Sequence, residues 1–315
     1  MKKKKEKKYI IITGAYGQDG TILSKIINKN KYKVLGIVKN LNSKKKQDNV
    51  TYKKINLLNP KLVFKTIKIL KPVALIHFGS ENPSFEENKK KEKDFYFKNF
   101  KITKNLIDSF AKLKKSKLIL IGSSQMYKED INKINLTTKF YQSTAYTKFR
   151  IDSFKYMIKQ KRKYNSNMVM AILFNHDSIF RNKKFLIPRL IRLAKSKNFK
   201  KLQEIYKENI SGDFSHADDI CSGLLKLMLS KKNPDKLIFS SNKRTNINVI
   251  INYLLKKNKI KKTFPIIINK KRSLPLGNNL FTKKILNWKL KKNIFFAVDE
   301  LNKSPLKSMF KKNIA

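Results

Sequence analysis

Three glycines spaced three apart, Gly14, Gly17 and Gly20, follow directly on the apolar run Tyr9-Ile10-Ile11-Ile12. Glycines in that setting let backbone N–H groups close on a phosphate. One makes the tight turn, one lets a pyrophosphate approach the backbone, and one lets the following helix pack on the strand. Helix-type sequence from Thr21 to Asn30 comes next. Its N-terminus offers free N–H groups and the positive end of its dipole to an anion. A second apolar run, Val34 to Val38, arrives where the second strand of a βαβ unit belongs. The pattern predicts a nucleotide-binding loop rather than a chance glycine turn.

The elements that must position this loop alternate through the first half. The pattern predicts strands near Thr51–Ile55, Val73–Phe78, Lys117–Gly122 and Met168–Phe174, with helices near Pro60–Leu70, Phe95–Leu113 and Ala145–Lys161. Such alternation predicts an α/β protein built on a Rossmann-type, doubly wound parallel sheet covered on both faces. From Asn175 the pattern loosens into shorter helices and a few strands, as expected of a smaller C-terminal α/β substrate-binding region. Residues 1–174 are therefore expected to form the dinucleotide-binding domain. Residues 175–301 are expected to be mostly substrate-binding, with some segments returning to the core, and 302–315 to be a tail. The lysine-rich runs at 43–47 and 89–93 read as solvated loops or helix starts. Ligands of open α/β sheets gather at the carboxyl ends of the strands. That singles out Gly14–Gly20, Lys39, His77–Asn82, Ser123–Tyr127 and Asn175–Arg181.

Composition sets outer bounds. The 315 residues carry 74 Lys plus Arg against 21 Asp plus Glu, a formal net charge of +53. Lysines that neutralise phosphates would give salt-dependent nucleic-acid binding. Here they are spread over the whole chain, with no basic module and no recognisable nucleic-acid motif, so compositional bias is the preferred reading. So positive a field still draws in anionic ligands. The single cysteine, Cys221, rules out an intrachain disulfide and fits a reducing compartment. No apolar run approaches the roughly 18 residues needed to cross a bilayer. Met1–Lys5 is followed by the glycine loop instead of a signal-peptide core, so a soluble, cytoplasmic protein is expected. Three histidines, one cysteine and no clustered carboxylates give no metal site. Taken alone, His176 and His216 read as buried histidines with hydrogen-bond partners.

Together the strand ends resemble the extended short-chain dehydrogenase/reductases, and within them the GDP-mannose 4,6-dehydratases. Thr13-Gly-Ala-Tyr-Gly-Gln18-Asp19-Gly20 is similar to that family's Gly-x-x-Gly-Gln-Asp-Gly, and the Gln-Asp pair is far more restrictive than the glycines. Leu173-Phe174-Asn175-His176-Asp177-Ser178 resembles its Leu-Phe-Asn-His-Glu-Ser, and Asp213-Phe-Ser-His216-Ala-Asp-Asp219 its Asp-Trp-Gly-His-Ala-Lys-Asp. Leu276-Gly-Asn278 and Leu286-Asn-Trp288 are similar to its Leu-Gly-Asp and Leu-Gly-Trp. These matches run in order from about residue 9 to residue 290. The resemblance implies dinucleotide contacts from Gly14, Gly17, Gln18, Asp19, Gly20, Lys39, Asn56, Leu57, Phe78, Gly79, Ser80, Arg150, His176 and Arg181. It implies substrate contacts from Asn175, Arg189 and Arg272, and a homo-oligomer. Residues 38–40, Val-Lys-Asn, hold no acid for a ribose 2′-hydroxyl, and Lys39 stands where the family has an arginine, which favours NADP.

The family reaction oxidises a sugar at C4, eliminates water across C5 and C6, and returns the hydride to C6. The first step needs a base; a tyrosine serves when a nearby cation lowers its pKa and a Ser or Thr hydroxyl shares the proton. Tyr146 matches the catalytic tyrosine and Ser123 the hydroxyl. Two positions depart from the pattern. Arg150 stands four residues after Tyr146, where a lysine is expected; it shares the helix face but is bulkier, planar and permanently charged. Gln125 stands where the family has the Glu that works at C5 and C6, and an amide takes no proton there at neutral pH. The implied activity is GDP-mannose 4,6-dehydration. An NADP-dependent nucleotide-sugar epimerase or 4-keto reductase stays open, because neither needs the Glu. So does a nucleotide-sugar-binding homologue with impaired catalysis.

Overall fold

Ile10, Ile11 and Ile12 are each fully buried. Consecutive apolar residues buried on both faces of a strand require a sheet covered on both sides. The computed structural model, which describes residues 7–80, 92–265 and 272–303, contains that sheet. The expectations for Met1–Lys5, Glu81–Asn82, residues 89–91 and 304–315 lie outside the described residues.

The first half runs β1 (Lys8–Thr13), α1 (Gln18–Ile26), β2 (Tyr32–Val38), β3 (Val50–Lys54), α2 (Pro60–Leu70), β4 (Ala74–His77), α3 (Glu92–Ala111), β5 (Lys117–Ser123), β6 (Lys133–Ile134), α4 (Ala145–Tyr164) and β7 (Asn167–Leu173). The second half continues β8 (Asn175–Asp177), α5 (Leu186–Lys195), α6 (Phe199–Lys207), β9 (Ser211–His216), α7 (Ala217–Leu229), β10 (Lys236–Phe239), β11 (Arg244–Asn246), α8 (Ile247–Lys257), β12 (Leu276–Gly277), α9 (Leu280–Leu286) and α10 (Ile294–Asn302). No helix among the described residues is long and apolar enough to cross a membrane.

The expected elements form, with shifted ends. Helix α1 starts at Gln18 rather than Thr21, because Gly17 takes the N-cap position and the loop feeds straight into the helix. Helix α2 has the expected bounds: the Asn59 side chain accepts from the Leu62 N–H at 3.1 Å, and Pro60 fits the first turn, where its missing N–H is not needed. Helix α3 begins three residues early, and α4 runs on to Tyr164, where Asn165 in the left-handed conformation (φ 48°) ends it.

Seven strands form one parallel sheet in the order β10-β7-β5-β4-β1-β2-β3. Alternate residues feed opposite faces. Ile10, Ile12, Ile119 and Ile121 pack with Leu23, Leu224, Leu227 and Trp288. Ile11, Leu118 and Leu120 pack with Val63, Ile67, Leu106, Phe110 and Met157 on the other face. A separate apolar cluster joins α5, α6, α8 and α10. The C-terminal half also re-enters the main sheet: β10 pairs with β7, and α7 packs beside α1.

One lysine shows how the two halves are fastened. Lys117, at the start of β5, is 2% exposed, and its ammonium donates to the carbonyls of Leu227 at 2.8 Å, Ser230 at 2.5 Å and Lys232 at 2.9 Å. It thereby closes the carbonyl-rich end of α7 and the turn that follows it. Lys117→Met is expected to orphan the Ser230 and Lys232 carbonyls and lower the unfolding free energy by about 2–3 kcal/mol. Chemical denaturation of the two proteins would check this, and equal midpoints and slopes would refute it.

Candidate functional site

The chain order reverses direction across the sheet at β1, which lies between β4 and β2. A crevice opens there at the carboxyl ends of the strands. Thr13 and His77, the last residues of β1 and β4, are register partners. The Thr13 Oγ1 accepts from the Gly79 N–H at 3.0 Å and lies 2.7 Å from His77 Nδ1. On the far side of the ring Thr103 Oγ1 gives its own proton to Asn99 O at 2.9 Å and so accepts from the ring. That leaves His77 with its proton on Nε2, facing Thr103 Oγ1 at 3.4 Å. Gly14 has φ +67°, and a Cβ there would lie 2.9 Å from the Gly79 nitrogen and the Phe78 carbonyl carbon. A Cβ at Gly20 would meet Gly14 O at 2.6 Å. Gly17 differs: its Cβ would meet only Gly14 O, at 3.2 Å, and no side chain caps α1. The loop is closed where it packs and open at the helix N-terminus, which suits the pyrophosphate of a dinucleotide.

Two segments 158 residues apart meet beside this loop. Gln18 donates through Nε2 to His176 O at 3.1 Å and accepts from Ser178 Oγ at 3.1 Å. His176 sits with Nε2 3.0 Å from Asp19 Oδ1 and Nδ1 2.6 Å from Phe174 O. Both partners are acceptors, so both ring nitrogens donate and the ring is an imidazolium. Burial opposes that charge, but the Asp19 carboxylate and the Phe174 carbonyl raise the pKa above the usual histidine value. Burial likewise opposes the charge on Asp19, yet His176 and Arg181 hold its pKa below the ordinary aspartate value. The resemblance implied a dinucleotide contact from His176; in the structure both its nitrogens are engaged within the protein. Arg181 lies 3.2 Å from buried Asp177, with its guanidinium 3.7 Å over the Phe185 ring.

The expected catalytic residues stand at the end of β5 and on the first two turns of α4. Thr144 caps α4 through the Thr147 N–H at 3.2 Å and so fixes where Tyr146 emerges. Tyr146 is buried, edge-on to Phe149. Arg150 is 6% exposed; it donates to Ile121 O and, at 2.5 Å, to Ser80 Oγ, with its guanidinium 5.3 Å from the Tyr146 ring centroid. Lys148 pairs with Asp152 at 2.7 Å instead. Ser123 Oγ accepts from the Gln125 N–H at 3.2 Å and caps the short turn Ser124–Met126, leaving the Gln125 side chain exposed.

Other expected contacts are spread more widely. Lys39 and Asn56 are exposed at the ends of β2 and β3, and Leu57 O accepts from Asn105 Nδ2 at 2.9 Å. Asn175, on β8, donates to Asp213 O at 3.4 Å. Arg189 lines a cavity of 270 Å³ with Arg192, Ser196, Asn198 and Lys201. Arg272 lines a larger one of 760 Å³ and is held there by Glu129 through two hydrogen bonds, of 3.0 and 2.7 Å.

Sequence reasoning missed the partners that hold these residues. Ser178, Thr13 and His77 were quoted only as motif neighbours, yet each bonds directly to a loop of the crevice. Fully buried Asp213 accepts from the backbone of Ser241, Asn242 and Gly277 at 2.7, 2.9 and 3.2 Å, tying β9 to β12. Its place at the head of the Asp213–Asp219 motif was the available signal for it.

The sequence profile of the NAD dependent epimerase/dehydratase family matches residues 10–241. Among curated proteins, the GDP-mannose 4,6 dehydratase of Dictyostelium discoideum is 22% identical over 94% of this chain and 95% of its own. GDP-mannose 4,6 dehydratase 2 of Caenorhabditis elegans is 22% identical over 79% of this chain and 70% of its own. Among solved structures, UDP-glucuronic acid 4-epimerase from Bacillus cereus, in complex with NAD, superposes with a TM-score of 0.79 at 18% identity, covering 96% of this chain and 100% of that one. dTDP-glucose 4,6-dehydratase from Bacillus anthracis, also with NAD, gives 0.78 at 15% identity, covering 98% and 97%. These superpositions establish the fold.

The two buried histidines of the crevice titrate with opposite sign. Burial, helped by the Arg150 charge, lowers the His77 pKa from 6.5 to about 3. Between those values the unfolded chain binds the extra proton, so the stability due to His77 is lost as pH falls below 6.5. His77→Asn is expected to flatten the acid limb of stability by up to about 1.4 kcal/mol per pH unit in that window. For His176 the folded pKa is the higher one. Its contribution is complete below pH 6.5 and declines as pH rises through the folded value. His176→Asn is expected to lose stability mainly on the acid side. Denaturant titrations at stepped pH would separate the two, and parallel curves for both variants would overturn the assignment.

Proposed function

The chain belongs to the NAD dependent epimerase/dehydratase family, and on that premise we propose that it is an NADP-using nucleotide-sugar enzyme of the GDP-mannose 4,6-dehydratase type. The observation that carries this reading is the contact of Gln18 and Asp19 with His176 and Ser178. Those residues belong to the two most restrictive motifs of the resemblance, and here they form one bonded unit. The absence of an acid after β2, with Lys39 exposed there, supports NADP.

Bound NADP would supply the hydride acceptor and donor. The open α1 N-terminus and Gly17 would hold its pyrophosphate, and Phe78, Gly79 and Ser80 would line the crevice beside it. Tyr146 would take the proton of the C4 hydroxyl while hydride leaves C4, with the Ser123 hydroxyl sharing that proton. Arg150 fixes a positive charge beside the Tyr146 ring and, through Ser80, ties α4 to the β4 loop. The region 175–301 would hold the substrate, through Asn175, Arg189 and Arg272. Loss of water takes a proton from C5 and hydroxide from C6, and Gln125 supplies no base for it. That single residue favours a second reading, an epimerase or 4-keto reductase, which needs only the C4 chemistry.

Purified protein incubated with NADP and GDP-mannose is expected to yield the 4-keto-6-deoxy product, one water lighter by mass spectrometry, slowly. Gln125→Glu is expected to raise that rate by about 10²–10⁴-fold, the usual worth of a general acid/base. No water loss from either protein, despite tight binding of both ligands, would sink the dehydratase reading. Turnover of a 4-keto sugar with NADPH would then support the second.

A further inference from the structure

Tyr16 lies between Gly14 and Gly17 in the loop, yet its side chain crosses to the chain after β2. Its hydroxyl donates to Asn42 O at 3.1 Å and accepts from the Asn42 N–H at 3.3 Å. Its ring packs on Tyr52 of β3, with centroids 4.6 Å apart and planes tilted by 31°. Gly36 on β2 leaves room for this pair: a Cβ there would lie 2.8 Å from the Tyr52 ring and 2.9 Å from the Ala15 Cβ. Two further bonds fasten the same connection to α1. Gln47 Nε2 donates to Thr21 O at 3.3 Å, and Asn49 Nδ2 donates to Ser24 O at 2.7 Å. Residues 39–49 are thus strapped over the first turns of α1, with Lys39, Lys45 and Lys46 exposed along the strap.

In a Rossmann site the pyrophosphate sits at the α1 N-terminus and the ribose 2′ position faces the end of β2. Tyr16 spans the distance between those two places. We propose that Tyr16 is a specificity-determining residue: by pinning Asn42 it fixes the basic strap beside the glycine loop, so that the site selects a dinucleotide carrying a 2′-phosphate. A lysine on an unpinned connection would have to be ordered on binding, and that cost would fall on the 2′-phosphate contact alone. The inference rests on the NADP reading above and adds to it the residue that enforces the choice.

The test compares binding of 2′,5′-ADP and AMP, which differ only in the 2′-phosphate, to the full chain by calorimetry, and so needs no turnover. The parent protein is expected to bind 2′,5′-ADP more tightly. Tyr16→Phe keeps the ring packing and removes both bonds to Asn42. It is expected to weaken 2′,5′-ADP about tenfold, the cost of ordering one or two side chains, with AMP changed less than twofold. Lys39→Ala is expected to shift the same ratio in the same direction, and thermal melts would establish that both variants fold. An unchanged ratio in Tyr16→Phe, or equal loss for both ligands, overturns the role of Tyr16 while the cofactor reading stands. A parent protein without preference for 2′,5′-ADP overturns both.

Discussion

The charged contact between Asp19 and His176 is the constraint on which the crevice depends. Two ionic groups taken out of water lose hydration that only good geometry and further hydrogen bonds can restore. Here the carboxylate has the imidazolium at 3.0 Å and the imidazolium has a second acceptor, Phe174 O, at 2.6 Å. Phe174 and His176 stand at the junction of β7 and β8, where the chain leaves the main sheet. The ion pair therefore ties the glycine loop to the point where the chain leaves the main sheet. Gln18 repeats the link on both sides of its amide, so the glycine loop and β8 hold one geometry. Removing either charge would leave the other buried without a partner, which costs more than the pair contributes.

The second histidine works by the opposite principle. His77 must be neutral, because its Nδ1 accepts from Thr13 and Arg150 already places a cation nearby. The arginine at 150 makes physical sense in that setting. A guanidinium offers several donors in a rigid plane, so one side chain reaches both the Ile121 carbonyl and the Ser80 hydroxyl. A lysine ammonium is a point donor on a flexible stem and would not brace two strand ends in the same way. Arg150 thus couples α4 to the β4 loop, in addition to placing charge beside Tyr146.

The parts of this fold legible in the sequence are those fixed by short-range pattern. Apolar runs of four to seven residues gave the inner strands β1, β2, β4, β5 and β7, because both faces are buried and no polar alternation interrupts them. The glycine triplet located the loop, since backbone geometry at Gly14 and close packing at Gly20 admit little else. Helix ends were less legible: α1 starts three residues early because Gly17 caps it without a side chain, and no propensity rule marks that. The partners of the site residues were not legible at all. Gln18 and Ser178, or Arg150 and Ser80, are joined only by the topology that returns β8 and α4 to the same edge. The return of β10 to the main sheet was anticipated only in general terms, because its four residues carry no signal of their neighbour.

The excess of lysine sharpens the meaning of the acids that remain. In a chain with 21 carboxylates against 74 basic residues, those held at buried joints do work that a cation cannot. Asp213 accepts three backbone N–H groups. Asp219 accepts those of Lys291 and Lys292, both at 2.7 Å, and Asp19 accepts from the imidazolium. Replacing any of them with lysine would set a donor against a donor. Position 125 is different, because its side chain is exposed and bonds to nothing that holds the fold. The fold makes no demand for an acid or an amide there, so exchanging one for the other is expected to leave it unchanged. On the reading proposed above, a glutamine at that place would remove the base of the elimination step and leave the fold untouched.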